Sequence, residues 1–229
     1  MKSIVLIPAR RGSKRVPGKN TKLLGDKPLI QYTIEHACQS NTLDSIYISS
    51  DDKDIKKLAS TFNCTFIERP STYSGDSSST LDVIKHFLQL TNLHNETAII
   101  HLLQPTVPFR RHDLTDESTN KMKQGDYDSI TSHIKVDFFH PNRLKLINGN
   151  YLCPYNQKED ETCSREDLPS VYCRDGAIYS FWSDRIIKLN SIFGHKQGFV
   201  LNDPSIHVNI DTPTDWYLAQ ALLDRFLSL

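Results

Sequence analysis

The chain has 229 residues, and its 27 Lys and Arg balance 27 Asp and Glu, so the formal net charge is zero. A chain of this length can bury one substantial core. The even balance argues against general nucleic-acid binding, which needs a broad basic surface. No apolar run reaches the roughly 18 residues that span a membrane. We therefore expect neither a nucleic-acid nor a membrane partner.

Cysteine usage indicates the compartment. Five cysteines are scattered along the chain, and none forms a Cys-x-x-Cys pair. Reduced thiols are the expected state of such residues. The apolar opening at residues 1–7 is too short for a signal peptide. We therefore expect a cytoplasmic protein.

The first half of the chain alternates strands with helices. Runs of β-forming residues predict strands at 3–8, 45–49, 64–67 and 97–103. Apolar residues spaced by three and four predict helices between them. The expected buried faces of these helices are Ile30, Ile34, Ala37 and Cys38; Ile55, Leu58, Ala59 and Phe62; and Leu81, Ile84 and Leu88. Asp51 and Asp52 can cap the second helix. This alternation predicts an α/β fold, a Rossmann-like and mainly parallel sheet with helices on both faces.

The second half interrupts the pattern once. A strand is predicted at 129–136. The polar stretch 137–172 that follows is interpreted as a small insert, either a lid or a subunit contact. The whole chain, 1–229, is predicted to be a single domain. Strands return at 177–181, 198–201 and 207–210. The last helix, 214–229, has an apolar set that comprises Trp216, Leu218, Ala219, Leu222 and Leu223.

Ligands of such sheets bind beyond the carboxyl ends of the strands. Loops 8–22, 69–80 and 104–111 are therefore the candidate binding loops. The first contains "IPARRGSKRVPGKN" and places six basic residues between positions 10 and 22. Its spacing matches neither the P-loop nor the dinucleotide fingerprint. A turn-permitting glycine, a stiffening proline and several cations are nevertheless suited to a triphosphate. A solvated basic loop is the alternative.

The quoted loop resembles the opening of the CMP-sialic acid synthetases, the N-acylneuraminate cytidylyltransferases. The resemblance continues in order through nearly the whole chain, in "GDKPLIQYTI", "ISSDDKDI", "LLQPTVPFR", "LPSVYCRDGAIYSF" and "NIDTPTDW". It implies a fold like that of the nucleotide-diphospho-sugar transferases. The implied reaction moves CMP from CTP to the anomeric hydroxyl of a nine-carbon 2-keto sugar acid, releases pyrophosphate and uses Mg²⁺.

The resemblance also implies roles for individual residues. The nucleotide would be bound by Arg10, Ser13, Lys14, Lys19, Asn20, Arg69, Asp76, Ser78 and Ser79. The sugar acid would be bound by Gln104, Arg165, Asp175, Tyr179 and, from the insert, Lys145. Asp211 and Asn209 would hold the metal. Arg10 and Lys19 would stabilise charge on the departing pyrophosphate, with Asp211 as the expected base. The alternative for the serines near position 79 and for Asp211 is helix capping.

Three positions depart from the family pattern. Val107 stands where serine is usual, and Asn209 replaces the first aspartate of the terminal motif, so we expect Asp211 to be the dominant carboxylate at the metal. Asp175 replaces an asparagine and would repel an acidic sugar unless Arg174 or Arg165 compensates.

The departures leave the acceptor open. Legionaminic, pseudaminic and eight-carbon Kdo acids remain alternatives to a sialic acid, as does a nucleotide-binding homologue with impaired catalysis. A homodimer is expected, by resemblance and because a polar insert needs support.

Overall fold

The computed structural model describes residues 1–75, 78–136, 139–155 and 164–228, and of Arg165 it describes only the backbone. The strands of this part of the chain are β1 (Ser3–Pro8), β2 (Leu23–Leu24), β3 (Lys27–Pro28), β4 (Ser45–Ser50), β5 (Thr65–Glu68), β6 (Ile99–Leu102), β7 (Ser129–Val136), β8 (Lys145–Asn148), β9 (Tyr151–Pro154), β10 (Val171–Trp182) and β11 (Gln197–Leu201). Its α-helices are α1 (Leu29–Gln39), α2 (Lys53–Thr61), α3 (Thr80–Leu90), α4 (Leu114–Gln124), α5 (Ser183–Leu189) and α6 (Pro213–Leu227).

The central sheet has seven strands in the order β11-β7-β10-β6-β1-β4-β5. All neighbours pair in parallel except β10, which runs antiparallel to both β6 and β7. The chain builds outward from β1 to β4 and β5, then returns to place β6 on the other side of β1. The strand order therefore reverses beside β1, and a crevice opens there beyond the carboxyl ends of the strands.

Helices cover both faces of the sheet, as the sequence predicts. Alternate residues of β1 face opposite ways: Val5 and Ile7 pack in the cluster that contains α1 and α2 residues, whereas Ile4 and Leu6 pack in the cluster that contains α3 residues. This two-sided burial explains the continuous apolar run of the strand. A third cluster joins α6 to α1 and to the basic loop through Val16.

Helix α4 is not predicted from the sequence because its buried face is largely hydroxylic. Thr115, Ser118 and Thr119 are buried together with Leu114 and Met122. The Thr119 hydroxyl lies 3.1 Å from Nε2 of the buried His101. Because these contacts are hydrogen bonds to the sheet, the helix has no apolar stripe by which its period could be recognised.

Two sequence predictions are wrong. Cys38 is exposed rather than on the buried face of α1. Residues 207–210 form no strand, since their apolar side chains pack into the third cluster without pairing to a sheet edge.

Within the predicted insert, the described residues form a two-stranded ribbon of β8 and β9. The main sheet resumes with β10. The ribbon exposes apolar side chains to solvent, which are Leu146, Ile147, Tyr151 and Leu152. Among the described residues, no helix combines the length and the apolar character that crossing a membrane requires.

Candidate active site

The three predicted loops meet in one cleft of about 220 Å³ at the carboxyl ends of β1, β5 and β6. Its lining residues are Pro8, Arg10, Gly12, Ser13, Lys19, Asn20, Arg69, Tyr73, Gly75, Ser78, Ser79, Thr80, Val83, Gln104, Pro105 and Thr106. The cleft therefore lies at the crevice where the strand order reverses, and one of its walls is basic.

The basic loop is held in shape by its own backbone. Gly18 has a φ of 62°, in the left-handed region that favours glycine. Its carbonyl accepts hydrogen bonds from the amides of Thr21 at 3.0 Å and Lys22 at 2.9 Å. The Asn20 side chain donates to the Arg10 carbonyl at 2.9 Å. Asn20 lines the cleft, and this bond fixes the backbone from which Arg10 projects.

Lys19 links the basic loop to the segment before α6. Its Nζ donates to the Ile210 carbonyl at 2.6 Å and to Oδ1 of Asp211 at 3.2 Å. The Lys19 side chain is 11 % exposed, whereas that of Asp211 is 53 % exposed. The Ile210 amide in turn donates to the Thr106 carbonyl at 2.8 Å. Two of the three loops are thus joined through residues 210–211.

Arg69 is a buried cation at the floor of the cleft. Its Nε donates to the Ser49 hydroxyl at 3.2 Å and one terminal nitrogen donates to the Ser49 carbonyl at 2.6 Å. The pKa of Arg69 is lowered to about 10, mainly by burial; Asp51 opposes the shift, and nearby Arg10 contributes to it. Two guanidinium groups close enough to repel each other are stabilised by an anion between them. The arrangement is therefore suited to phosphate.

The serines before α3 mainly organise the protein itself. Ser79 caps α3: its hydroxyl accepts from the Asp82 amide at 3.1 Å, and the Asp82 carboxylate accepts from the Ser79 amide in return. The Ser78 hydroxyl donates to the Thr72 carbonyl at 3.0 Å. The capping alternative is thus confirmed for Ser79, although both serines line the cleft. Asp76 lies outside the described residues.

Gln104 follows β6 and faces the opposite wall. Its carbonyl accepts from the buried Arg110 guanidinium at 2.7 Å. Gly176, with a φ of 82°, packs so close that a Cβ there would meet Oε1 of Gln104 at 3.1 Å and the Tyr179 hydroxyl at 3.8 Å. The predicted acceptor residues Gln104 and Tyr179 are therefore neighbours across a glycine. Burial raises the pKa of Tyr179, and Arg174 opposes that shift.

Asp175 does not face the cleft, contrary to expectation. The residue is 4 % exposed. Its Oδ1 accepts from the Ser132 hydroxyl and from the Ala177 amide at 3.1 Å, while Oδ2 accepts from Nδ2 of Asn202 at 3.0 Å. Because all these donors belong to the protein, the carboxylate stabilises the β10 irregularity that presents Gly176, and its oxygens are not directed into the cleft.

The structure places the remaining predicted residues at the periphery. Lys14 is exposed on the basic loop, and Lys145 is exposed on β8. Asn209 is exposed two residues before Asp211, in the segment that lacks a strand. The Arg165 side chain lies outside the described part of the chain.

Comparison with known proteins identifies the family to which this cleft belongs. Residues 4–228 match the family described as cytidylyltransferase. This chain belongs to the cytidylyltransferase family.

Individual relatives agree with this assignment. The chain is 32% identical to the CMP-N,N'-diacetyllegionaminic acid synthase of Legionella pneumophila, over 98% of this chain and 97% of that protein. It is 31% identical to the N-acylneuraminate cytidylyltransferase A of Danio rerio, over 96% of this chain and 50% of that protein. The cytidylyltransferase thus spans about half the length of that relative.

A solved structure supports the fold. CMP:2-keto-3-deoxy-manno-octonic acid synthetase, complexed with CTP, matches with a TM-score of 0.71 at 19% identity, covering 98% of this chain and 99% of that one. At this identity the likeness concerns the fold alone. The predicted α/β class with a mainly parallel sheet is confirmed.

Sequence reasoning missed Tyr73, which lines the cytidylyltransferase cleft, and Arg110, which is buried and supports the Gln104 carbonyl from outside the lining. The Tyr73 ring lies against the imidazole of His86 on α3, with 4.9 Å between centroids. Arg110 spans from Thr33 on α1 to the Ala177 carbonyl on β10. Tyr73 could have been predicted, because it is an aromatic residue in a loop of serines. Nothing in the sequence around Arg110 distinguishes it from a surface arginine.

Metal binding by the cytidylyltransferase would depend on substrate. Among the described residues, no group of three or more His, Cys, Asp and Glu could hold a metal ion. The Asp211 carboxylate is half exposed and contacts Lys19 on one side. A single carboxylate together with phosphate oxygens and water suits Mg²⁺, which rarely occupies all-protein cages. The residues present therefore fit a magnesium ion that is bound jointly with a nucleotide.

Proposed function

We propose that this cytidylyltransferase transfers CMP from CTP to the anomeric hydroxyl of a sialic-acid-like nonulosonic acid and releases pyrophosphate. The observation that carries the proposal is the single cleft in which Arg10, Lys19 and Arg69 form a basic wall opposite Gln104. One wall suits a triphosphate and the other suits a polar acceptor. The family match and the names of the relatives supply the nucleotide and the class of sugar.

In the proposed reaction, the acceptor hydroxyl attacks the α-phosphorus and pyrophosphate departs. Phosphoryl-type transfer is accelerated mainly by positioning and by neutralising charge. Arg10, Lys14 and Lys19 would bind the phosphates and stabilise the charge that develops on pyrophosphate. Lys19 comes from a loop held by its own backbone, so little reorganisation is needed. Asp211, acting through the metal or a bound water, is the proposed acceptor of the hydroxyl proton.

The proposed cofactor is Mg²⁺, bound by Asp211 with Asn209 as a weaker neutral ligand. When bound, it would neutralise phosphate charge. The exposure of both side chains leaves room for a cation and its water.

The acceptor site is proposed at Gln104 and Tyr179, with Arg165 as the partner of the sugar carboxylate. A diacetylated nonulosonic acid is the second candidate acceptor, because the legionaminic acid synthase matches over nearly its whole length. Asp175 would shape this wall through the β10 backbone rather than by direct contact.

The test is pyrophosphate release from CTP and Mg²⁺ with four acids: N-acetylneuraminic, diacetyllegionaminic, pseudaminic and Kdo. Mass spectrometry of the CMP-sugar identifies the acceptor. UTP in place of CTP is the control for recognition of the cytosine base. Clear CTP binding without release for any acid would refute the enzymatic proposal and favour an impaired homologue.

We further propose a cytoplasmic homodimer. The β8–β9 ribbon exposes apolar side chains at Leu146, Ile147, Tyr151 and Leu152, a pattern typical of a protein contact. Lys145 on this ribbon would then lie near the neighbouring copy's cleft. The unpaired described cysteines support a reducing compartment. Light scattering that finds a monomer at assay concentration would contradict the dimer.

A further inference from the structure

The pairing between β6 and β10 ends where the two strands reach the cleft. Their antiparallel register ends with Tyr179 opposite Leu102. Counted two residues further along both strands, Gln104 falls opposite Ala177, beyond the last hydrogen-bonded pair. Gln104 lines the cleft. The strands therefore separate at the acceptor wall, and the sheet ladder does not fix their spacing there.

Arg110 bridges the two strands at this separation. One terminal nitrogen donates to the Gln104 carbonyl at 2.7 Å, and Nε donates to the Ala177 carbonyl at 2.9 Å. The other terminal nitrogen donates to the Thr33 hydroxyl of α1 at 3.0 Å. The residue is only 3 % exposed. Because a guanidinium is planar and its donors form a rigid fork, the two carbonyls are held at a set distance from each other.

This distance controls a tightly packed part of the cleft. Gly176 directly precedes Ala177 and adopts a φ of 82°. A Cβ at Gly176 would lie 3.1 Å from Oε1 of Gln104 and 3.8 Å from the Tyr179 hydroxyl. A change in the gap between the strands would therefore move the Gln104 amide relative to Tyr179, and these are the two side chains proposed to bind the acceptor.

We propose that Arg110 is a positioning residue for the sugar acid, which sets the gap between the Gln104 wall and the β10 wall of the acceptor site. The inference rests on the proposed CMP transfer, because it concerns the acceptor half of the same cleft. Arg110 lies outside the cleft lining, so it acts through the two carbonyls and not by touching substrate. The phosphate-binding wall is held by separate bonds of Lys19 and Asn20.

The fork and the charge of Arg110 both contribute to this role. Burial lowers the pKa of Arg110 to about 9, and Asp175 opposes the shift, so the side chain is still charged at neutral pH. Charged donors make stronger hydrogen bonds to carbonyl oxygens than neutral donors do. A lysine would keep the charge, but it donates from one nitrogen and cannot reproduce the planar fork.

The experiment compares four full-length proteins: wild type, Arg110→Lys, Arg110→Gln and the matched control Thr33→Val. Pyrophosphate release is measured with varied acceptor at saturating CTP and with varied CTP at saturating acceptor. The acceptor is the acid of the four-acid panel that wild type uses fastest, and thermal unfolding is recorded for each protein. Thr33→Val removes the third acceptor of the same buried guanidinium but keeps both carbonyl bonds, so it reproduces a purely structural disturbance.

Both Arg110 variants should lower kcat/KM for the acceptor by about 10–10²-fold, chiefly by raising the acceptor KM, because the binding groups are misplaced. The KM for CTP should change by less than about twofold, since the phosphate wall keeps its own bonds. Thr33→Val should lower Tm and leave both KM values near those of wild type. The glutamine variant carries no charge that must be buried, so it supplies the measurement if the lysine variant does not fold.

Several outcomes would overturn the proposal. These are an acceptor KM unchanged in the Arg110 variants, equal rises in the KM for acceptor and for CTP, or a Thr33→Val variant that matches the Arg110 variants. Unfolding of both Arg110 variants would likewise make the arginine a structural residue only. Absence of release by wild type with all four acids would instead refute the CMP transfer itself, and this inference with it.

Discussion

Replacing Asp175 by Asn tests the finding that this carboxylate organises β10 rather than contacting a sugar. Both oxygens of Asp175 accept hydrogen bonds: from Ser132 and the Ala177 amide on one side, and from Asn202 on the other. The substitution keeps the shape but turns one acceptor into a donor. If Ser132 and Ala177 keep their acceptor, the new amide nitrogen must face the Asn202 amide nitrogen.

Asn202 cannot correct this by rotating its amide. Its Oδ1 accepts from the Arg111 backbone amide at 3.0 Å, so a rotation would leave that amide without its acceptor. Leaving one buried donor unsatisfied costs about 1–3 kcal/mol. For a chain of this size that corresponds to a Tm lower by about 2–12 °C. Asp175 also raises the pKa of the buried Arg110, which burial lowers to about 9, so losing the charge adds to the cost.

The assay is thermal unfolding of three proteins: wild type, Asp175→Asn, and the exchange variant Asp175→Asn with Asn202→Asp. In the exchange variant the amide donates to the new carboxylate, which still accepts from Arg111, so at least half of the lost Tm should return. An unchanged Tm in the single variant, or an exchange variant less stable than the single, would refute the reasoning. Acceptor KM should change little in either.

The other predictions concern catalysis and pH. Lys19→Met should lower kcat/KM by about 10²–10³, the cost of removing one donor to developing charge, as measured by pyrophosphate release. Tyr73→Leu should raise KM for CTP with kcat nearly unchanged, because the ring lines the cleft against His86. Asn209→Asp should lower the Mg²⁺ concentration required for half-maximal activity, because a second carboxylate adds charge beside Asp211. His36→Gln should flatten the acid side of the stability profile: burial lowers the pKa of His36 from 6.5 to about 3, so wild-type stability falls as pH drops below about 6.5. At pH 5 the wild type should have lost about 2 kcal/mol of its free energy of unfolding through His36, a loss that His36→Gln should not show when unfolding is measured with urea.

Each of these variants has a control and a contradicting result. For Lys19 the control is Lys22→Met on the same loop. If Lys19→Met lowers kcat/KM by less than tenfold, Lys19 only holds the loop to residues 210–211 and does not stabilise the developing charge. Tyr217→Leu, an exposed tyrosine on α6, is the control for Tyr73, and equal KM values for the two variants would exclude Tyr73 from binding. An unaltered Mg²⁺ requirement would remove Asn209 from the metal site. An equally steep acid limb in His36→Gln would assign the acid sensitivity to other groups, such as the buried His101.

Much of the fold follows from local sequence pattern. The bounds predicted for strand β7 are the observed ones, and the apolar spacing predicts helices where α1 to α3 lie, because a two-sided sheet demands continuous apolar strands and one-sided helices. The three binding loops could be predicted as well, since the ends of parallel strands lie at one edge. Helix α4 could not, because hydroxyl groups rather than apolar side chains bury its face.

The sequence by itself determined the strand–helix alternation, the basic character of the first loop and, through its motifs, the resemblance to the cytidylyltransferases. Only the tertiary structure decided which polar groups face the cleft and which face the protein. Asp175 carries a charge and sits in a family motif, yet its partners come from strand β7 and from residue 202. Lys19 meets residues 210–211 from the far end of the chain. The spacing of apolar residues along the chain shows which face of a helix or strand is buried. It does not show which residue a polar side chain will contact, so hydrogen bonds between residues distant in sequence cannot be predicted from it.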